Sequence, residues 1–205
     1  MTLANWIHPL LFAGSDPYAD YLVYDTFTDV NGTALNAHTP DKDSVGGGWS
    51  YDAGTAFTIN ANQLDVGPEV PCRAIIDAGQ ADIKINGTLI TPGDDGFQIL
   101  LRWQDDDNYI RALFELIPMG SIAITKWVAG VPTSVDDLIT GIFGARTIDF
   151  EITAIGNAIV LKDLTNSKTC SGTVNELQTN TIVGLGDSGA ETGPMVVDNF
   201  SVAAM

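Results

Sequence analysis

The residues best equipped for chemistry in this chain are acidic, and they come in clusters. Asp25 and Asp198 open two matching D-x-F motifs, Asp25-Thr26-Phe27 and Asp198-Asn199-Phe200, near the two ends of the sequence. Asp105, Asp106, Asp107 and Asn108 place four oxygen-bearing side chains in one short run, and Asp41 and Asp43 form another. Hard cations such as calcium are held by several such oxygens, so Asp25, Asp198, Asp105 and Asp107 are candidate ligands of a structural calcium. None of these runs has the spacing of an EF-hand loop, and the competing reading is solvated turns and capped strand ends. Beyond that ion no cofactor is expected.

Other reactive side chains stand alone. His8 and His38 accompany no Ser or Cys in a nucleophile motif. Glu115 in ALFELIP and Glu151 in DFEIT each sit singly on an apolar run and read as outward, solvated residues. Gly46-Gly47-Gly48-Trp49 is glycine-rich but lacks the Lys and following helix of a phosphate loop, and reads as a turn. Cys72 and Cys170 are far apart, with no CxxC or Cys/His pattern, and read as two buried thiols, with a single bridge as the alternative. No enzyme is expected.

The elements that must position these residues are strands. At 205 residues with 45% hydrophobic residues, 21 Gly and 9 Pro, the chain suits one turn-rich β domain. Short apolar or alternating runs fall at 57–60, 63–66, 72–77, 81–85, 96–103, 109–116, 122–128, 148–155, 158–163, 182–186 and 195–202, separated by Gly, Asn, Asp and Pro clusters. Residues 147–153 put Ile148, Phe150 and Ile152 on one face and polar residues on the other, so one face is core and the other wet. Gly156-Asn157 reads as a tight hairpin turn. Residues 135–139, after Pro132-Thr133-Ser134, are the best helical candidate, barely one turn. Trp49, Trp103 and Trp127 read as core rings, and Arg102 and Arg111 as partners of the acidic loop between them. The fold class is all-β, an antiparallel β-sandwich or jelly roll over residues 23–205, with an extended N-terminal arm at residues 1–22.

In that arm Trp6, Ile7, Leu10, Leu11, Phe12, Tyr18 and Tyr21 keep neither strand nor helix periodicity, and such apolar side chains need a docking surface, on the parent domain or on a neighbour. The arm fits a secretory signal poorly, since no Lys or Arg precedes its apolar stretch and Pro9 interrupts it. No run reaches the length of a membrane span. Nine Lys and Arg against 26 Asp and Glu give a formal charge of −17, a field that repels phosphate backbones and anionic lipid, so neither nucleic acid nor membrane is an expected partner.

Several segments in order carry a family likeness: DTFTD, NGTALNAHTPD, GGGW, FTINANQLDV, ILLRWQDDDNYIRALFE, TKWVAGVPT, IDFEITAIGNAIVLKDL and VVDNFSV. Together, from Asp25 to Val202, they resemble the concanavalin A-like lectin/glucanase jelly roll, in particular its laminin-G-like branch in bacterial and phage extracellular proteins. The resemblance implies a sandwich in which the first and last strands pair, with Phe27 and Phe200 in the core and Asp25 near Asp198, and it is the source of a rim calcium site as an expectation. The E-x-D-x-x-E run of the β-glucan-cleaving members is missing from the sequence, which puts hydrolysis in doubt. The resulting expectation is a non-catalytic virion protein, a phage capsid decoration or tail-associated protein. It would assemble through its arm with itself and with other virion proteins. The alternative is a carbohydrate-binding module that recognises extracellular or cell-surface polysaccharide, with a glycan as partner.

Overall fold

The computed structural model describes residues 16–54, 57–66, 72–91, 96–115, 120–142, 144–187 and 195–205. In chain order the strands are β1 (Val23–Asp25), β2 (Thr33–Ala34), β3 (Lys42–Asp43), β4 (Ser50–Ala53), β5 (Phe57–Asn60), β6 (Gln63–Val66), β7 (Arg73–Asp77), β8 (Ile83–Thr91), β9 (Gly96–Asp105), β10 (Asn108–Glu115), β11 (Ser121–Val128), β12 (Val131–Ile139), β13 (Arg146–Ile155), β14 (Ala158–Asp163), β15 (Lys168–Thr173), β16 (Ile182–Asp187) and β17 (Met195–Ala204). One 3-10 turn, Leu35–Ala37, interrupts them.

The strands form two antiparallel sheets. Ten belong to a sheet whose main path runs β15-β14-β13-β8-β17-β6-β5-β2, with β1 added beside β17 and β3 beside β1. Seven form the other, β12-β11-β10-β9-β16-β7-β4. Alternation explains how they face each other: Ile148, Phe150, Ile152 and Ala154 of β13 are buried while their neighbours are not, and Phe97, Ile99, Leu101, Ile110, Ala112 and Phe114 meet them from the seven-stranded sheet. The Phe150 ring lies over Gly87, its cross-strand partner on β8, where any Cβ would stand 2.7 Å from the ring. The first and last strands pair, Val23 with Val202 and Asp25 with Phe200, and Phe27 and Phe200 are both fully buried.

Residues 135–139 are not helical. They belong to β12, an edge strand joined to β11 through Ala129-Gly130, both at positive φ as a tight hairpin turn requires. Pro132 is tolerated because an edge strand has one side with no ladder bonds to donate. The register slips by one opposite Ile124 and Thr125, at Val135, whose side chain packs on Gly172 of the other sheet's edge strand β15. Polar β15, with only Cys170 buried, has no alternation of apolar residues and escapes sequence reading. Cys72 and Cys170 are both buried and form no disulfide. Burial, with Asp136 alongside, pushes the Cys170 thiol up to about 12.

Candidate functional site

Two places gather polar and aromatic side chains. The first is the joint where β1 meets β17. Asp25 is fully buried there, and its carboxylate is saturated: Oδ2 accepts the indole N–H of Trp49 at 2.8 Å, and Oδ1 accepts the Phe27 amide at 2.7 Å and lies 3.0 Å from His38 Nε2. The other nitrogen, His38 Nδ1, is 3.0 Å from Asp29 Oδ2. An imidazole with a carboxylate at each nitrogen is best satisfied as the doubly protonated cation. Burial works against that charge, but Asp29 and Asp25 prevail and hold His38 above its ordinary range. Burial also raises Asp25, against the pull of Trp49 and His38. Asp25 thereby holds Phe27 at its unusual φ of 51° and aims it into the core. This network is structural: it locks the strand that closes the sandwich.

The acidic residues singled out in the sequence are dispersed. Asp198 accepts the amide of Asn199, and a bulge at Asn199 (φ 52°) shifts the register between Asp198 and Ser201. The bulge returns Phe200 to the core and leaves Asp198 half-buried, while Asp25 is fully buried with Phe200, two residues on from Asp198, as its strand partner. Asp105 Oδ1 caps its own hairpin by accepting the Asp107 amide and the Asn108 side-chain N–H, and the Asp107 carbonyl accepts the Gly130 amide. Asp41 is taken by Thr26, and Asp43 by the amides of Val45, Gly46 and Gly48. Among the described residues no group of three or more His, Cys, Asp or Glu is placed to hold a metal ion. Of the arm, Trp6, Ile7, Leu10, Leu11 and Phe12 lie outside the described residues. Tyr18 and Tyr21 pack on Tyr24 of β1, with ring centroids 4.6 and 5.0 Å away.

The second place is the outer face of the seven-stranded sheet. A bulge is what creates it. Arg102 has φ 51°, and the pairing of β9 with both β10 and β16 slips there. The slip moves Trp103 off the core side, so that it joins Leu100 and Tyr109 in an apolar cluster separate from the core, with Ile75, Trp127 and Ile182 packed around it. Trp49 packs in the main core, Trp103 is buried to the same degree in this smaller outer cluster, and Trp127, expected in the core, is half-buried at its margin. Three rings form a row across β9, β10 and β11: Trp103 to Tyr109 at 4.8 Å, and Tyr109 to its cross-strand partner Trp127 at 4.9 Å and nearly parallel.

Two guanidiniums flank the row. Arg73 lies 4.8 Å from the Trp103 ring centroid and bridges Asp52 and Asp106, so this is the arginine that meets the acidic loop. Arg111 lies 4.6 Å from the Trp127 ring centroid. Arg102, expected to pair with that loop, is instead buried with Asp82 at 3.6 Å. Glycines 184 and 186 of β16 carry no side chain onto this face. Beyond Ile75 and Ile182 a hollow of about 210 Å³ continues to the Gly46–Gly48 loop. On the far side of that loop a larger hollow of about 520 Å³ lies between it and residues 36–40.

This face is not the wet one that alternation implies: Gln98, Leu100, Leu113 and Ala123 are buried although they point away from the core. The signal was present, because Ile99-Leu100-Leu101 is a continuous apolar run, the mark of a strand buried on both sides. Of the carboxylates that reach the face, Asp52 and Asp106 are engaged by Arg73 and Glu115 by the Ser121 hydroxyl, while Asp137, opposite Ala123 on the edge strand β12, is exposed. Glu151 belongs to the other sheet, paired with Lys162.

No protein-family model and no curated protein matches the sequence. Solved structures do match in shape. The carbohydrate binding module CBM66 from Bacillus subtilis superposes with a TM-score of 0.60 at 13% identity, over 76% of this chain and 95% of that one. The Bacillus licheniformis β-glucanase does so with 0.57 at 10%, over 89% and 97%. The fold is that of the concanavalin A-like lectins and glucanases. A third concanavalin A-like neighbour, the exoplasmic/lumenal domain of VIP36 in its Ca2+/Man3GlcNAc-bound form, gives 0.57 at 11%, over 77% and 83%. The chain also spans about two fifths (39%) of the length of GH43 proteins with this fold.

Proposed function

We propose that the protein is a non-catalytic carbohydrate-binding module whose ligand lies on the outer face of the seven-stranded sheet, against Trp127. The observation that carries this reading is the row Trp103, Tyr109 and Trp127, built outside the core by a bulge and flanked by two arginines. Aromatic rings bind the apolar faces of sugars, and guanidiniums, amides and hydroxyls bind their hydroxyl groups. Trp127 and Thr125 are only half-buried and stand next to Arg111, so the ligand has a ring, a hydroxyl and a fixed donor within reach. The likeness to a named carbohydrate binding module and to a glycan-bound lumenal domain supports the class, and neither names the sugar.

A hydrolytic role has less support, since Asp52, Asp106 and Glu115 on this face are already engaged by Arg73 and Ser121, which leaves Asp137 on the edge strand, and a glycosidase needs a pair of carboxyl groups flanking the scissile bond. The place in a virion expected from the sequence gains no support from these likenesses and is not included in the proposal. A glycan array followed by calorimetric titration tests the reading. Saturable binding to at least one glycan, lost in Trp127→Ala, is expected; an array with no binding, or binding untouched by Trp127→Ala, contradicts it.

A further inference from the structure

We propose that the sugar bound on this face carries a carboxylate, a uronic acid unit in an otherwise neutral chain, and that Arg111 receives it. The inference rests on the carbohydrate reading of the same face and adds the ligand's chemical class.

Lys42, Arg73, Lys84, Arg102, Lys126 and Lys162 each stand within 4.0 Å of a carboxylate. Arg111 does not, among the described residues, although the chain has 26 acids to 9 Lys and Arg. Its cross-strand partners are Thr125 and Leu100, neither of them charged. Its Nε is buried without a hydrogen-bond partner, and the guanidinium lies at the Trp127 ring. Burial lowers its pKa, the direction expected of a cation stripped of water without full compensation. A buried donor left unsatisfied is unfavourable, and a carboxylate satisfies two guanidinium donors at once in the planar fork geometry. Arg146 also has buried unpaired nitrogens, and each of the two arginines has one acid in its field, Asp163 for Arg146 and Glu115 for Arg111, but of the two it is Arg111 that lies at an aromatic ring.

The charge of −17 narrows the class further. It opposes a polyanion with a charge on every unit, such as a nucleic acid or a heavily sulfated chain. A single carboxylate on a neutral chain answers the arginine without a large penalty from the field.

The test is calorimetry with β-linked oligosaccharides that each carry one glucuronic acid, against the same oligosaccharides with that carboxyl reduced to the alcohol. The expected result is about tenfold or greater preference for the acid form in the native protein. Arg111→Gln should bring the acid form down to the level of the reduced one, and Arg111→Lys should fall between. Near-ultraviolet circular dichroism of the Tyr109–Trp127 pair shows whether each variant keeps the face intact. Equal affinity for both forms in the native protein, or a preference that survives Arg111→Gln, overturns the uronate assignment and leaves the carbohydrate reading standing. Failure of both forms and of every neutral glycan overturns both.

Discussion

Asp25 accepts the indole N–H of Trp49 at 2.8 Å, inside the joint where the first and last strands of the sandwich pair. Both groups are buried, so each depends on the other. Trp49→Phe keeps the ring and removes the donor, leaving one carboxylate oxygen buried without it. The expected loss is about 2–4 kcal/mol of unfolding free energy, read from urea denaturation. Asp25→Asn, which keeps an acceptor and removes the charge, should cost less than Asp25→Ala. A Trp49→Phe protein as stable as the native one would remove the network from the account.

The same joint gives stability a pH dependence. His38 has its folded pKa held above the ordinary 6.5, with burial opposing and Asp29 and Asp25 prevailing. A raised folded pKa means that His38 stabilises fully below 6.5 and that this contribution fades as pH rises through the folded pKa. Asp25 is also raised, by burial, so its contribution has the same sign, present at low pH and lost as pH rises through its folded pKa. Denaturation midpoints measured from about pH 6 to about pH 9 should therefore fall, and His38→Gln should flatten that fall. A native profile that is flat or rises in this window contradicts the assignment.

The aromatic row should divide into a structural end and a binding end. Trp103 is 3% exposed and anchors the outer cluster, so Trp103→Ala should destabilise by about 3–5 kcal/mol. Trp127 is only half-buried at the margin, so Trp127→Ala should cost about 1 kcal/mol of stability while removing glycan binding. Thermal melts and titrations of the two variants, run side by side, separate the roles.

Gly184 marks how closely the strands beneath this face approach. A Cβ there would stand 2.5 Å from the Ala74 carbonyl oxygen and 3.1 Å from a Leu100 methyl. Backbone cannot yield as a side-chain tip can, so Gly184→Ala should lose about 1–3 kcal/mol, measurable by denaturation.

Much of the fold was legible because apolar alternation survives in its long strands. Ile148, Phe150 and Ile152 show it, and the pairing of the first and last strands, β1 and β17, was implied by the family resemblance that the matching D-x-F ends help to carry. The site was less legible, because bulges at Arg102 and Asn199 reverse which side chains face inward, and no residue type announces a bulge at Arg102. Trp103 is then buried in the outer cluster instead of the main core, and Phe200, not Asp198, is the strand partner of Asp25. His38 was passed over because its partners Asp25 and Asp29 are carboxylates instead of a nucleophile. The clue lay in Trp49, since a buried indole needs an acceptor. Residues 135–139 misled because Pro-Thr-Ser opens helices and also suits an edge strand.

The central claim, that the outer face of the seven-stranded sheet is a carbohydrate surface, is tested most directly by amide hydrogen exchange of the native protein with and without the best glycan from an array. The account expects added protection in β10 and β11, around Tyr109, Arg111, Thr125 and Trp127. Protection confined to β13, β14 and β15 of the opposite sheet, or to the loops around Asn36 and Thr39, would contradict it.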